Sequence, residues 1–374
     1  MLIPGGSLGI LPQKVVFSQP VEATSVSAGA VSRGKQERVY VGNRDKFHMR
    51  GMFSFLINSL PSNATVVSAT LRLFVVSYEN FSPGVPLEVG VHQLDKDFVE
   101  EEVSWERAST TEQWLNPGGD FSSGELLGSF EFNEQDFGGG SIDTIVVVLD
   151  TLAVNQLIRS GEEYFPLVLV PGVQDAWFSI VGRELAPDSP VASLLDLTYR
   201  VAGSTTNAAL ERRAKGDATV TSFSGTMNPS MLTVGDTPAS QTFFQYDLSQ
   251  LPRDATINRA LLHVSVFDAA YVDTFHVAVF TSGNNDYVDY ESANLSVSQG
   301  VGLDTDSLAL DITVGLQRAL ALDSTGTQYF IGLGSNTAVN VGGYVQFYPP
   351  DWSEPNRRPV LDLIYTDAPE NAKP

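Results

Sequence analysis

The chain repeats itself once, and that repeat limits the folds open to it more than any other feature does. Leu60-Pro61-Ser62-Asn63-Ala64-Thr65 returns as Leu251-Pro252-Arg253-Asp254-Ala255-Thr256, and the alternating runs that follow, Ala69 to Leu73 and Ala260 to Val264, keep the same spacing. Phe53-Ser54-Phe55 answers Phe244-Gln245-Tyr246, and Leu149-Asp150-Thr151 answers Leu310-Asp311-Ile312. Leu195-Asp196-Leu197-Thr198-Tyr199 answers Leu361-Asp362-Leu363-Ile364-Tyr365. A chain of 374 residues also exceeds the roughly 250–300 at which one core stops growing. The expected division is an N-terminal arm at 1–18, a first domain at 19–200, a polar linker at 201–213, a second domain at 214–366 and a tail at 367–374.

Within each copy, most segments alternate apolar and polar residues, are rich in Val, Ile, Thr, Phe and Tyr, and are separated by Gly, Pro or Asn. Val39–Val41, Leu87–Leu94, Thr144–Leu149 and Phe165–Val170 read as strands. One short helix per copy interrupts them. From Asp150 to Gly161, an Asp/Thr start, apolar positions three to four apart, a late Arg159 and a closing Gly give both helix signals, and Asp311 to Leu322 stands in that place in the second copy. The expected fold is all-β: two tandem jelly-roll-like β-sandwich domains, each with one short helix.

These residues resemble a known family. Both copies are similar to the DNRLRE-type repeat domain, also classed as carbohydrate-binding module family 96 and related to the disaggregatase repeats of archaeal surface proteins. The first copy carries the resemblance at Val39-Tyr40-Val41-Gly42-Asn43, the Leu-Pro-x-x-Ala-Thr turn, Val103-Ser104-Trp105, Trp114 to Phe121 and the closing strand Leu195 to Tyr199. The second carries it at Asp217-Ala218-Thr219-Val220, Leu232-Thr233-Val234-Gly235, its own Leu-Pro turn and Arg358-Pro359-Val360-Leu361. It departs where the Trp and Gly-Gly-Asp-Phe segment should be, with Tyr287-Val288-Asp289-Tyr290 instead. The resemblance implies a β-sandwich that decorates outer surfaces or binds polysaccharide, with any ligand site in the first copy.

Charge narrows the partners. There are 44 Asp+Glu against 22 Lys+Arg, a net charge of −22, which argues against nucleic acid or an anionic membrane surface, since both select for basic residues. No run is long and apolar enough to insert in a membrane. The opening Met1 to Pro12 lacks a basic region and is broken by Pro and Gly, so it does not read as a Sec signal. Without cysteine the chain has no thiolate chemistry and no Cys-type metal site. Neither Ala108–Ile158 nor Ala260–Gln317 contains a Lys or Arg, so corresponding stretches of the two copies are anionic. Clustered carboxylates suit Ca2+, for which Asp120, Asp286 and Asp289 are the candidate ligands.

Enzyme motifs fail on context. Gly5-Gly6-Ser7-Leu8-Gly9 has nucleophile-elbow spacing but sits between prolines, and Gly29 to Gln36 has phosphate-loop spacing but ends on Gln36 and reads as a hairpin turn. The histidines His48, His92, His263 and His276 never fall at a metal-ligand spacing, although His263 and His276 could face each other across a hairpin. A non-catalytic protein is expected. Sugar rings stack on aromatic faces while Asn and Asp bind hydroxyls, so Trp114 with Asn116 and Asp120 is the candidate carbohydrate site, with Trp105 and Trp177 beside it. The competing reading makes Trp105 and Trp177 core and Trp114 a plug at the sheet end. Tyr348 and Trp352 are further aromatics of interest. The expected role is a structural or adhesive subunit of an outer assembly on a cell surface, filament or virion, joined to copies of itself or other assembly proteins through the N-terminal arm. The alternative is a pair of polysaccharide-binding modules with the site in the first domain.

Overall fold

Strands dominate the described residues, some alternating buried and exposed side chains, as Ser307–Asp311 does, and others buried on both faces, as Ala176–Val181 is. The structure is a computed structural model and describes all residues except 1–10, 30–33, 35, 123, 134–142, 186–190, 253, 289–296, 303, 323–328, 337–339 and 368–374. Two strands come first, β1 (Gln13–Phe17) and β2 (Glu22–Gly29). The first repeat continues with β3 (Arg38–Arg44), β4 (Phe47–Leu56), β5 (Ala64–Asn80), β6 (Leu87–Gln93), β7 (Leu126–Phe132), β8 (Asp143–Val148), α1 (Thr151–Ser160), β9 (Tyr164–Pro171), β10 (Ala176–Val181) and β11 (Leu194–Val201). The second repeat opens on the long β12 (Ala208–Phe223). It then follows the same order: β13 (Leu232–Asp236), β14 (Ala239–Gln245), β15 (Thr256–Tyr271), β16 (Phe275–Ser282), β17 (Val297–Val301), β18 (Ser307–Asp311), α2 (Thr313–Leu322), β19 (Phe330–Ser335), β20 (Gly343–Phe347) and β21 (Val360–Thr366). Among the described residues, no helix is long and apolar enough to cross a membrane.

The chain divides into two compact units, each with its own sheet. The first unit, residues 30–225, holds a 10-stranded sheet in the order β12-β11-β5-β10-β3-β4-β9-β6-β7, with β8 on β5. β12 also pairs with β4, so the sheet curls back and closes on itself. Phe53, Phe55, Phe165 and Phe178 are fully buried in its core, to which α1 adds Val154, Leu157 and Ile158. Truncating one such phenylalanine to Ala costs about 3–5 kcal/mol. The second unit, residues 1–29 with 226–374, holds an 11-stranded sheet in the order β1-β21-β15-β20-β13-β14-β19-β16-β17, with β18 on β15 and β2 on β14.

The repeats therefore exchange their opening strands. β1 pairs with β21 and β2 with β14, all in the second unit, and Phe17 of β1 is part of that unit's core. β12 does the reciprocal job in the first unit: its first half pairs with β11 and its second with β4, and Ala214 joins the first core. A matching pair of hydroxyl contacts marks the symmetry. Thr219 Oγ1 of β12 accepts from the Tyr40 amide at 2.9 Å, and Ser25 Oγ of β2 accepts from the Thr233 amide at 2.8 Å.

This connectivity differs from the contiguous division expected of the sequence. The stretch taken as a linker at 201–213 is a tight turn followed by β12 residues paired with β11. Its polar composition reflects the largely exposed first half of that strand. Of the arm at 1–18, residues 1–10 lie outside the described residues, while Gln13–Phe17 is paired within its own chain. The segment Gly29–Gln36 joins β2 and β3, which pair with different sheets, so it is no hairpin turn. His263 and His276 lie on β15 and β16, which do not pair either.

Each helix is where its end signals put it. Asp150 accepts from the Leu152 amide at 2.8 Å, and Gly161 closes α1 with φ 79°, a left-handed conformation that suits glycine. A carboxamide then fixes α1 to β5 and α2 to β15. Asn155 Oδ1 accepts from the Val66 amide at 2.8 Å, and Gln317 Oε1 from the Ile257 amide at 2.6 Å.

Deleting residues 1–29 is expected to strip hydrogen-exchange protection from β14 and β21 while leaving β4 and β11 protected. Equal loss in both units would contradict the exchange.

Candidate ligand-binding groove

The loop between β6 and β7 carries Trp105, Trp114, Asn116 and Asp120 of the expected carbohydrate site. Trp114 is not a free platform: it is 5% exposed and packs with Met52, Leu94, Phe98, Val103 and Val168. Its indole N–H donates to the Ser104 carbonyl at 3.0 Å, and Lys96 Nζ lies 5.5 Å from the ring centroid. Asp120, 2% exposed, organises the turn that follows. Its carboxylate accepts from the Leu115 amide at 3.0 Å and the Asn116 amide at 2.7 Å, and Lys96 Nζ stands 3.3 Å away. The Asn116 side chain is exposed beside it. Trp177 is 1% exposed, packed at 5.4 Å from Tyr40. The plug and core readings describe Trp114 and Trp177.

Trp105 is half-buried: it packs against the same cluster as Trp114 and also lines a cavity of about 380 Å³ with Asn43, His48, Arg50, Val173 and Asp175. Strand alternation puts His48 and Arg50 on the same face of β4, on either side of the fully buried Met49. Arg50 lies 4.8 Å from the Trp105 ring centroid and 5.2 Å from that of Phe121, and it donates to the Gly118 carbonyl at 2.9 Å. Burial lowers its pKa from the ordinary value, yet a guanidinium stays charged. Asn43 Nδ2 donates to the Gly172 and Gln174 carbonyls at 2.7 and 2.9 Å, and its Oδ1 lies 2.8 Å from His48 Nδ1. On the rim, Asp175 accepts from the Asp45 amide at 3.1 Å, and Val173 is 97% exposed. The groove thus combines an aromatic wall, a fixed cation and polar groups locked by bonds to the backbone, an arrangement suited to a hydroxyl-bearing ring.

Among the described residues, the second unit has no counterpart. Counting from the matched Phe53-Ser54-Phe55 and Phe244-Gln245-Tyr246, Gln241 stands where Arg50 does and Ala239 where His48 does. Gln241 is fully buried and clamps the segment after β16, donating to the Val288 carbonyl at 2.7 Å and accepting from the Val288 amide at 2.9 Å. That unit instead gathers Tyr348, Trp352 and Phe267, with ring centroids 5.1 and 5.5 Å from Tyr348.

No protein-family model matches the chain, and no curated protein sequence matches it.

Of the expected calcium ligands, Asp120 belongs to the first unit and Asp286 and Asp289 to the second. Asp120 is committed to its turn, Asp286 is exposed in the other unit with Asn284 Nδ2 donating to it at 2.8 Å, and Asp289 lies outside the described residues. Among the described residues, the acidic cluster with metal-ligand spacing is Glu100, Glu184 and Asp217. The sequence reading singled out neither Arg50 nor Asp175 nor Glu184; the His-x-Arg alternation in β4 was the available signal for the first.

For Asp120, burial works to raise the carboxyl's pKa, but the Leu115 and Asn116 amides and Lys96 outweigh it and hold the group below the ordinary value. A lowered native pKa contributes stability that is present above the unfolded value of about 4 and is lost as pH falls through the native one. Asp120→Asn is therefore expected to cost about 1–3 kcal/mol at pH 7 in urea unfolding, and the difference should shrink toward pH 2.

Proposed function

We propose that this protein is a non-catalytic adhesive subunit of an outer assembly, at a cell surface, filament or virion, that holds polysaccharide through the Trp105 groove of its first unit. We read each unit as a jelly-roll-like β-sandwich of the kind found in carbohydrate-binding module family 96. The observation that carries this reading is the groove itself: Trp105 held under Arg50, with Asn43 and His48 fixed by bonds that exist before any ligand arrives. Preorganised polar groups lose little freedom on binding, which is how a shallow groove reaches useful affinity.

Two further observations support it. The second repeat replaces the groove's Arg and His by Gln241 and Ala239, the pattern expected when one copy binds and the other serves as scaffold. With a net charge of −22, the chain suits a neutral glycan, since an anionic one would be repelled unless a cation bridged the two.

A glycan array probed with the intact chain tests the reading. His48→Ala changes an exposed side chain and is expected to leave the unfolding temperature unchanged while weakening retention about 3- to 10-fold, the worth of one hydrogen bond. Trp105→Ala is expected to abolish retention. An intact chain that retains no glycan would remove the polysaccharide reading.

A further inference from the structure

Three acids meet in the first unit away from the Trp105 groove. Asp217 lies on β12, Glu100 in the loop after β6 and Glu184 just beyond β10, and one carboxylate oxygen from each lies within 4.8 Å of those of the other two. Hydrogen bonds fix the arrangement. The Asp217 amide donates to Glu100 Oε1 at 2.9 Å, the Arg183 amide to Asp217 Oδ2 at 2.8 Å, and the Arg183 guanidinium to Glu100 Oε2 at 2.7 Å and Glu184 Oε1 at 3.2 Å. Two oxygens are left over: Asp217 Oδ1 and Glu184 Oε2 are buried and accept no hydrogen bond.

A buried carboxylate oxygen with no donor is costly, and Asp217 is only 2% exposed. Among the described residues, the cation bonded to these acids is Arg183. Burial pushes Asp217 well above the usual carboxylate range, against the pull of the Arg183 amide, and burial raises Glu100 as well. The two unused oxygens come from different elements.

We propose that Glu100, Glu184 and Asp217 form a binding site for a divalent cation of the calcium type. Ca2+ takes oxygen ligands at about 2.3–2.6 Å in a flexible geometry, so any two of them stand no more than about 5 Å apart, and the three acids each place an oxygen inside that limit. Mg2+, at about 2.0–2.1 Å, demands a more regular cage. One divalent ion gives both orphan oxygens a partner. Gly34 helps hold the Glu100 loop in place, since a Cβ at that position would collide with the Glu100 carbonyl oxygen. Because Asp217 belongs to the exchanged strand, the ion ties β12 to the elements it packs on and binds only when that strand is seated. In the second unit the matching register position on β2 is Ala23, opposite Phe244 as Asp217 is opposite Phe53, so the site belongs to the first unit alone.

Calorimetric titration and thermal unfolding of the intact chain, stripped with EDTA and then given CaCl2, test the proposal. Calcium is expected to bind and to raise the unfolding temperature by mass action on the folded state. Asp217→Asn and Glu184→Gln should each weaken binding by about tenfold or more. Glu184 is partly exposed, so its variant keeps a folded chain in hand if Asp217→Asn does not fold. Asp286→Asn, in the other unit, should bind calcium as the parent does. Absence of calcium heat and of any thermal shift in the parent overturns the proposal, as does unchanged affinity in both cluster variants. A cluster that merely shares a proton would show itself by Asp217→Asn stabilising a chain indifferent to calcium, and magnesium binding as tightly as calcium would overturn the assignment of ion type.

Discussion

The backbone hydrogen bonds that β12 makes on both of its edges are what the first unit depends on. A strand exposes a row of amides and carbonyls along each side, and an unpaired row invites pairing with another chain. By running along β11 with its first half and along β4 with its second, β12 covers an edge of each and joins them. In the second unit two strands share the task, broken between Phe17 and Glu22, where Pro20 has no amide to give and the Val21 amide resumes the pairing on the Gln245 carbonyl. Each repeat therefore owns a sheet that its own sequence does not complete.

Much of the fold was legible because it is local. Val39–Val41 and Phe165–Val170 fall within strands, Leu87–Leu94 and Thr144–Leu149 each run one residue past theirs, and the Asp150–Gly161 helix has the caps its sequence announces. The exchange was not legible, because β1 and β12 have similar alternation and nothing in their composition says which β21-like strand each will meet. The Gly203-Ser204-Thr205-Thr206-Asn207 stretch looked like a linker because a hairpin turn and a linker use the same residues. The amide staples of Asn155 and Gln317 were hidden for a related reason: a buried carboxamide and an exposed one are written with the same letter.

The binding surface was half legible. Trp105 was among the candidate aromatics and lines the groove, while Trp114, the preferred one, is spent on packing and Asp120 on its turn. Tryptophan in a strand-rich chain is as useful for filling a core as for stacking on a sugar, and only the fold of the β6–β7 loop separates the two uses. Arg50, Asp175 and Glu184 matter through neighbours distant in sequence, a relation that spacing along the chain does not record.

The strand exchange also sets a timetable for synthesis. The first unit has all of its strands once Phe223 has emerged, but β1 and β2, made at the outset, have no partners until β14 and finally β21 exist. At about 5–20 residues per second, the apolar Val15-Val16-Phe17 stretch waits roughly 20–70 seconds for Leu361–Leu363. During that interval β1 lacks its partner strand, so its unpaired edge is open to another chain until β21 is made.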